Sequence, residues 1–153
     1  MYNIVENYET ENSFVENLNL SNLAKFVLKY EYVQDNACAS LNFISSSQIH
    51  ELNKKYRDID RPTDVLSFEC DGVEDDKYFI QDDNYELGDI FICVEIAETN
   101  AKKFNTSLES ELKLLVVHGM LHLCGYDHIK DEDAVIMEAK EEEILDKFLQ
   151  LNG

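Results

Sequence analysis

The chain has 153 residues, 44 % of them hydrophobic and 10 % aromatic, and 13 basic residues against 32 acidic ones give a net charge of −19. That length and composition fit one globular domain over residues 1–153 and exclude a disordered chain, no apolar run is long enough to span a bilayer, and the charge disfavours non-specific nucleic-acid binding because the field repels phosphate. The N-terminal residues lack the basic start and apolar stretch of a signal peptide, and four separated cysteines (Cys38, Cys70, Cys93, Cys124) read as small buried hydrophobes of a reducing, cytoplasmic environment.

In chain order, Ile4 to Tyr8 suggests a short first strand. Ser21 is the expected N-cap of a helix to about Tyr32, with Leu23, Phe26, Val27 and Tyr30 facing a core. Ala37 to Ile44 alternates, with Ala39, Leu41 and Phe43 on one side and Ser40 and Asn42 on the other, as in a half-buried strand. Ser45 and Gln48 make a capping box that opens a helix with Ile49, Leu52 and Tyr56 as its inward stripe, ending near Asp58. This helix and its exit hold Lys54, Lys55, Arg57 and Arg61, the one clear concentration of positive charge and both of the chain's arginines. His50, on the same helix, has no partner by spacing and reads as a surface residue. Pro62 then forces the chain out of helical geometry toward a strand from Val65 to Phe68.

Glu69 to Glu86 carries eight acids and one lysine, as for a solvated excursion. Leu87 to Val94 is apolar on both faces, the pattern of a central strand, and Gly88-Asp89 at its start is either a turn or a site residue, of which the turn is favoured. A helix from Glu95 to Phe104 follows, and Thr106 with Glu109 is the expected capping box of the next helix. In the last helix, Asp131, Glu132 and Asp133 lie where the macrodipole favours negative charge. Ala134, Met137, Leu145 and Phe148 share a face there, and Glu141 falls on it, either as an edge residue or as a hydrogen-bond partner of a ligand imidazole. Strands and helices mixed in this way indicate an α+β fold, a small mixed sheet packed with helices.

Three of the chain's four histidines fall within His118-Gly119-Met120-Leu121-His122-Leu123-Cys124-Gly125-Tyr126-Asp127-His128. His118 and His122 stand one turn apart on a helix that is apolar nearly all round (Leu112, Leu114, Leu115, Val116, Val117, Leu121) and therefore central and buried. Gly125 suits the left-handed cap at a helix exit, after which the chain can double back to bring in His128. Three imidazoles with open positions are the arrangement of a catalytic zinc site, with one Zn2+ or another divalent ion per chain. The spacing matches the metzincin proteases, but the position after the first histidine is Gly119, so a protease would lack its general base. Cys124, two residues from His122, should point away from the metal.

With these residues in view, the chain resembles the YbeY family, bacterial rRNA maturation factors described as single-strand-specific, metal-dependent endoribonucleases. Three motifs carry the likeness: Leu52 to Arg57 leading into Pro62 to Phe68; Leu87-Gly88-Asp89-Ile90 with Ile92-Cys93; and His118 to His128, followed by Met137 and Glu141 to Leu145. The resemblance implies zinc held by His118, His122 and His128, a required arginine at Arg57, single-stranded or ribosomal RNA as substrate, and the ribosomal small subunit or its associated proteins as partners. Two positions depart from the family pattern: Glu69 stands where a proline is usual, and Cys124 replaces a leucine.

Two functions of different class follow. In the first, a phosphodiesterase, Arg57 binds phosphate and stabilises charge in the transition state. Lys54, Lys55 and Arg61 offer further RNA contacts, and Asp127 is a candidate base by proximity. In the second, a non-catalytic ribosome-associated module, the metal pins the exit of the central helix, and Arg57 is a surface ion pair.

Overall fold

The computed structural model describes residues 1–70, 85–126 and 131–152. Its four strands are β1 (Asn3–Tyr8), β2 (Ala37–Ile44), β3 (Val65–Glu69) and β4 (Tyr85–Cys93). Its helices are α1 (Ser13–Glu16), α2 (Leu20–Tyr30), α3 (Ser46–Arg57), α4 (Val94–Lys103), α5 (Leu108–Leu123) and α6 (Asp131–Asn152). The strands form one mixed sheet in the order β1-β2-β4-β3. β1, β2 and β4 run parallel, and β3 closes one edge antiparallel to β4. This is the α+β architecture expected from the mixture of periods.

The two faces of the sheet have different fates. Ala39, Leu41 and Phe43 of β2 and Ile90 and Ile92 of β4 point to one side, where α2, α5 and α6 seal the main core. Leu66, Phe68, Phe91 and Cys93 point to the other, where α3 covers them with Ile49 and Leu52. Beyond the reach of α3 that second face is polar. Asn7 donates to Asn42 at 2.9 Å, Asn42 to Ser40 at 2.8 Å, and Ser40 to Asp89, a ladder crossing three strands.

α5 is the central helix, packed against α2, α4, α6 and the strands β3 and β4. Leu112, Val116, Val117, Met120 and Leu121 are fully buried along it. Gly119 marks its closest approach to the sheet: a Cβ there would lie 2.9 Å from the side chain of Ile90. A larger residue at that position requires the Ile90 side chain or the helix to move.

Several sequence expectations are corrected. The N-cap of α2 is Asn19, a left-handed residue that makes no side-chain cap bond, and not Ser21. The short α1 before it, capped by Asn12, carries too few residues to show a period. Ser45 does cap α3 through Gln48 N–H, but its own N–H is taken by Glu9 at 2.6 Å, so Gln48 makes no reciprocal bond. Tyr56 is exposed, resting edge-on against Phe68. The cap of α5 is Ser107, which accepts from Ser110 N–H; Thr106 donates to Glu111 instead.

Gly88 and Asp89 form no turn. They lie inside β4, at a register irregularity where Gly88 has φ +142°. A Cβ on Gly88 would come within 2.1 Å of the Phe68 carbonyl on β3, so only glycine lets the two strands pair there. The acidic excursion keeps only its ends among the described residues: Glu69 closes β3, and Tyr85 and Glu86 open β4. Of the four free thiols, Cys38 and Cys93 are buried, while Cys70 and Cys124 are half-buried.

Candidate functional site

The exit of α5 builds the site. Gly125 N–H donates to His122 C=O and Tyr126 N–H to Leu121 C=O, each at 3.0 Å, with Gly125 at φ +104°. This pair of bonds is a Schellman closure, and glycine supplies the left-handed residue it requires. The reversal carries the Tyr126 carbonyl back over the helix, where it lies 3.0 Å from His122 Nδ1. From α6, Glu141 Oε1 approaches His118 Nδ1 to 2.7 Å. Glu141 is almost wholly buried on the face it shares with Met137 and Ile144.

These two contacts decide the tautomers. A carbonyl only accepts, so His122 Nδ1 carries its proton, and a carboxylate imposes the same on His118. Both Nε2 atoms then present lone pairs, and they face each other at 3.2 Å. Two lone pairs so placed repel unless a cation lies between them, either a proton or a metal ion. Two nitrogens bound at about 2.0–2.1 Å to a tetrahedral zinc stand about 3.3 Å apart. The donor set therefore fits a divalent metal, with Glu141 and the Tyr126 carbonyl orienting the ligands from behind.

Among the described residues no group of three or more His, Cys, Asp or Glu side chains could hold a metal ion. His128 and Asp127 lie outside the described residues. Cys124 packs partly into the core, and burial pushes its thiol up to about 12.

A cleft of about 290 Å3 opens in front of the imidazoles, walled by His118, His122, Arg57, Arg61, Thr63 and the β3 segment 65–67. Arg57 reaches it from the last turn of α3. One guanidinium N–H donates to the Ser67 carbonyl at 2.7 Å, and the guanidinium carbon sits 4.8 Å from the centre of the Phe68 ring. Those two contacts fix the plane of the guanidinium and leave further donors of its fork to bind an anion. Arg61 lines the same cleft. Its carbonyl accepts from Asn53 Nδ2 at 2.8 Å, which ties the loop after α3 to a buried polar side chain.

Arg57 and Arg61 thus join His118 and His122, whereas Lys54 and Lys55 do not line the cleft. Lys55 lies against the Tyr56 ring, and Lys54 lies near Asp60. His50 is not unpaired: its Nε2 lies 2.8 Å from Asp60 Oδ1 at the surface, and this bond holds the Asp60 carboxyl below its usual range. Sequence reasoning missed Thr63 and Asn53. A signal for Asn53 existed, because it stands four residues after Ile49, a polar residue on the apolar stripe of its helix.

The family model described as "Endoribonuclease YbeY" matches residues 4–149. The protein of that name from Clostridium beijerinckii is 40 % identical over 147 residues, covering 88 % of each chain. The one from Clostridioides difficile is 44 % identical over 121 residues, covering 79 % of this chain and 78 % of its own. The solution structure of TM1509 from Thermotoga maritima superposes with a TM-score of 0.60 at 30 % identity, covering 97 % of this chain and 93 % of that one. The match spans all three sequence motifs, two of which line the cleft, and the chain belongs to the YbeY family.

Proposed function

We propose that the cleft between α5 and β3 cuts single-stranded RNA as a metal-dependent endoribonuclease, and that its cellular task is the maturation and quality control of small-subunit ribosomal RNA. The convergence of His118 and His122 Nε2, with both Nδ1 atoms engaged and Arg57 in the same cleft, carries this reading. The family membership supports the class of reaction. His118 and His122 would hold the metal, with His128 as the third ligand. A divalent ion bound there supplies Lewis acidity toward water and a phosphate oxygen.

The chain's own residues do the rest. Glu141 and the Tyr126 carbonyl keep each Nδ1 protonated, so that each Nε2 points into the cleft as a donor of electrons. Arg57 binds a non-bridging phosphate oxygen and offsets charge as it develops at phosphorus. Arg61, exposed at the rim, holds the next stretch of backbone. Access through an open cleft suits a flexible strand more than a stiff duplex. No helix of the described residues is long and apolar enough to cross a membrane. We infer a cytoplasmic site of action beside the small subunit and its associated proteins, where ribosomal RNA would be met.

The alternative of a metal that merely pins the helix exit loses its motive, because the Schellman bonds already close that exit. The test is cleavage of a single-stranded RNA by metal-loaded protein beside His122→Ala and Arg57→Ala variants purified identically. Wild-type cleavage with both variants reduced at least 100-fold supports the reading. Equal products from wild type and His122→Ala would assign the activity to a contaminant and sink it.

A further inference from the structure

A second cleft, about 1120 Å3, lies between the C-terminal end of α2 and α6. It is lined differently from the first. Lys29, Lys140 and Lys147 contribute three ammonium groups, and the aromatic wall includes Tyr30, Tyr32 and Tyr126. The two carboxylates facing them, Glu31 and Glu143, each accept from a tyrosine hydroxyl, Tyr126 and Tyr30 respectively, and Glu143 also pairs with Lys140 at 3.5 Å. On a chain of net charge −19, three lysines against two carboxylates leave this lining with a small excess of positive charge beside the exposed Tyr32 ring.

The backbone adds an independent observation. α2 ends in the same Schellman pattern as α5, with Tyr32 N–H on Lys29 C=O and Val33 N–H on Leu28 C=O. The left-handed position that α5 gives to Gly125 is here occupied by Tyr32, at φ +57° and 94 % exposed. A bulky side chain in that conformation is unfavourable, and its ring gains nothing from the fold. The Tyr2 hydroxyl anchors Val33 at 2.6 Å, which holds the turn while leaving Tyr32 displayed. Strain kept at a solvent-facing aromatic points to a contact made outside the chain.

We propose that this tyrosine–lysine cleft is a second binding site for single-stranded RNA, in which Tyr32 stacks on a base and the lysines neutralise the flanking phosphates. Aromatic platforms interleaved with cations bind single strands without reading their sequence. Tyr126 lines this cleft while its backbone carbonyl lies 3.0 Å from His122 Nδ1, so this residue touches both the cleft and the histidine site. The occupant rests on the endoribonuclease reading, and the cleft adds to it a place for RNA away from the cut.

The test is anisotropy of a labelled 20-nucleotide single-stranded RNA with full-length, metal-loaded protein, read beside cleavage on gels. Tyr32→Gly should weaken binding about tenfold while the Tm holds or rises by about 2 °C. Tyr32→Phe should bind as wild type does. Replacing Lys29, Lys140 and Lys147 together by serine should lower the slope of log Kd against log salt by about 2. Cleaving wild type with Tyr32→Gly and lysine variants that bind equally well would overturn the cleft and leave the nuclease reading standing. RNA bound but not cut would sink the nuclease reading, while the variants still decide the cleft. Protein that neither binds nor cuts overturns both.

Discussion

Among the described residues, two carboxylate–imidazole pairs are of almost equal length. His118 and Glu141 meet at 2.7 Å, and His50 and Asp60 at 2.8 Å. By distance alone they are the same interaction. Their surroundings separate them: the side chains are 25 % and 10 % exposed in the first pair, and 40 % and 70 % in the second. So does the atom used. Glu141 takes Nδ1 of His118 and turns Nε2 toward a second imidazole, whereas Asp60 takes Nε2 of His50 at the surface. A pair that aims a lone pair into a cleft does chemical work that an exposed ion pair does not.

The sharpest way to break this contrast is to remove Glu141. Glu141→Ala leaves the His118 Nδ1–H without its acceptor in a mostly buried place, at a cost of about 2 kcal/mol. Metal affinity, measured by chelator competition, should fall about 100-fold as the imidazole loses its orientation. Glu141→Gln keeps an acceptor oxygen and loses only the charge. It should keep most of the stability and lower metal affinity about tenfold. Equal metal affinity in wild type, Gln and Ala proteins would reduce Glu141 to a packing residue.

Gly119→Ala tests whether the aim of the imidazoles depends on how closely α5 approaches the sheet. The added methyl would meet Ile90 at 2.9 Å, so either the Ile90 side chain turns or the helix lifts. Overpacking of this size costs about 1–2 kcal/mol in denaturant unfolding. It should shift the backbone amide signals of His118 and His122 and leave those of His50 and Asp60 in place. Movement of all four would show that the two pairs are mechanically linked, against the contrast drawn here.

The first site was partly legible in the sequence and the His50–Asp60 pair was not, for physical reasons. His118 and His122 are separated by one helical turn, so the period of an apolar helix is enough to bring them together. Glu141 was detectable as an acid on an apolar stripe, although the stripe cannot name its partner across 23 residues. His50 and Asp60 are joined only because Asp58 ends α3 in a left-handed cap and the chain folds back, which no periodicity records. Gly88-Asp89 misled because glycine beside aspartate is ordinary turn chemistry. Its actual cause is non-local, the passage of the Phe68 carbonyl on a neighbouring strand. Arg57 needed the family motif, since its reach to Ser67 and the cleft depends on where the edge strand lies.

The smallest expected effect belongs to the surface pair. Asp60 is held below the ordinary carboxylate range, first by its bond to His50 and then by the charge of Lys54. A depressed carboxylate contributes stability above its unfolded pKa and loses it as pH falls through the lower, folded value. The contribution is therefore present at neutral pH and disappears in acid, and salt should screen it because both partners face water. In His50→Ala the Asp60 titration, followed by carboxyl NMR, should move up toward that of a free aspartate. The melting temperature at pH 7 should stay within about 2 °C of wild type, and metal affinity should not change. A loss of metal binding in His50→Ala would mean that α3, which carries both His50 and Arg57, transmits the state of its outer face to the cleft.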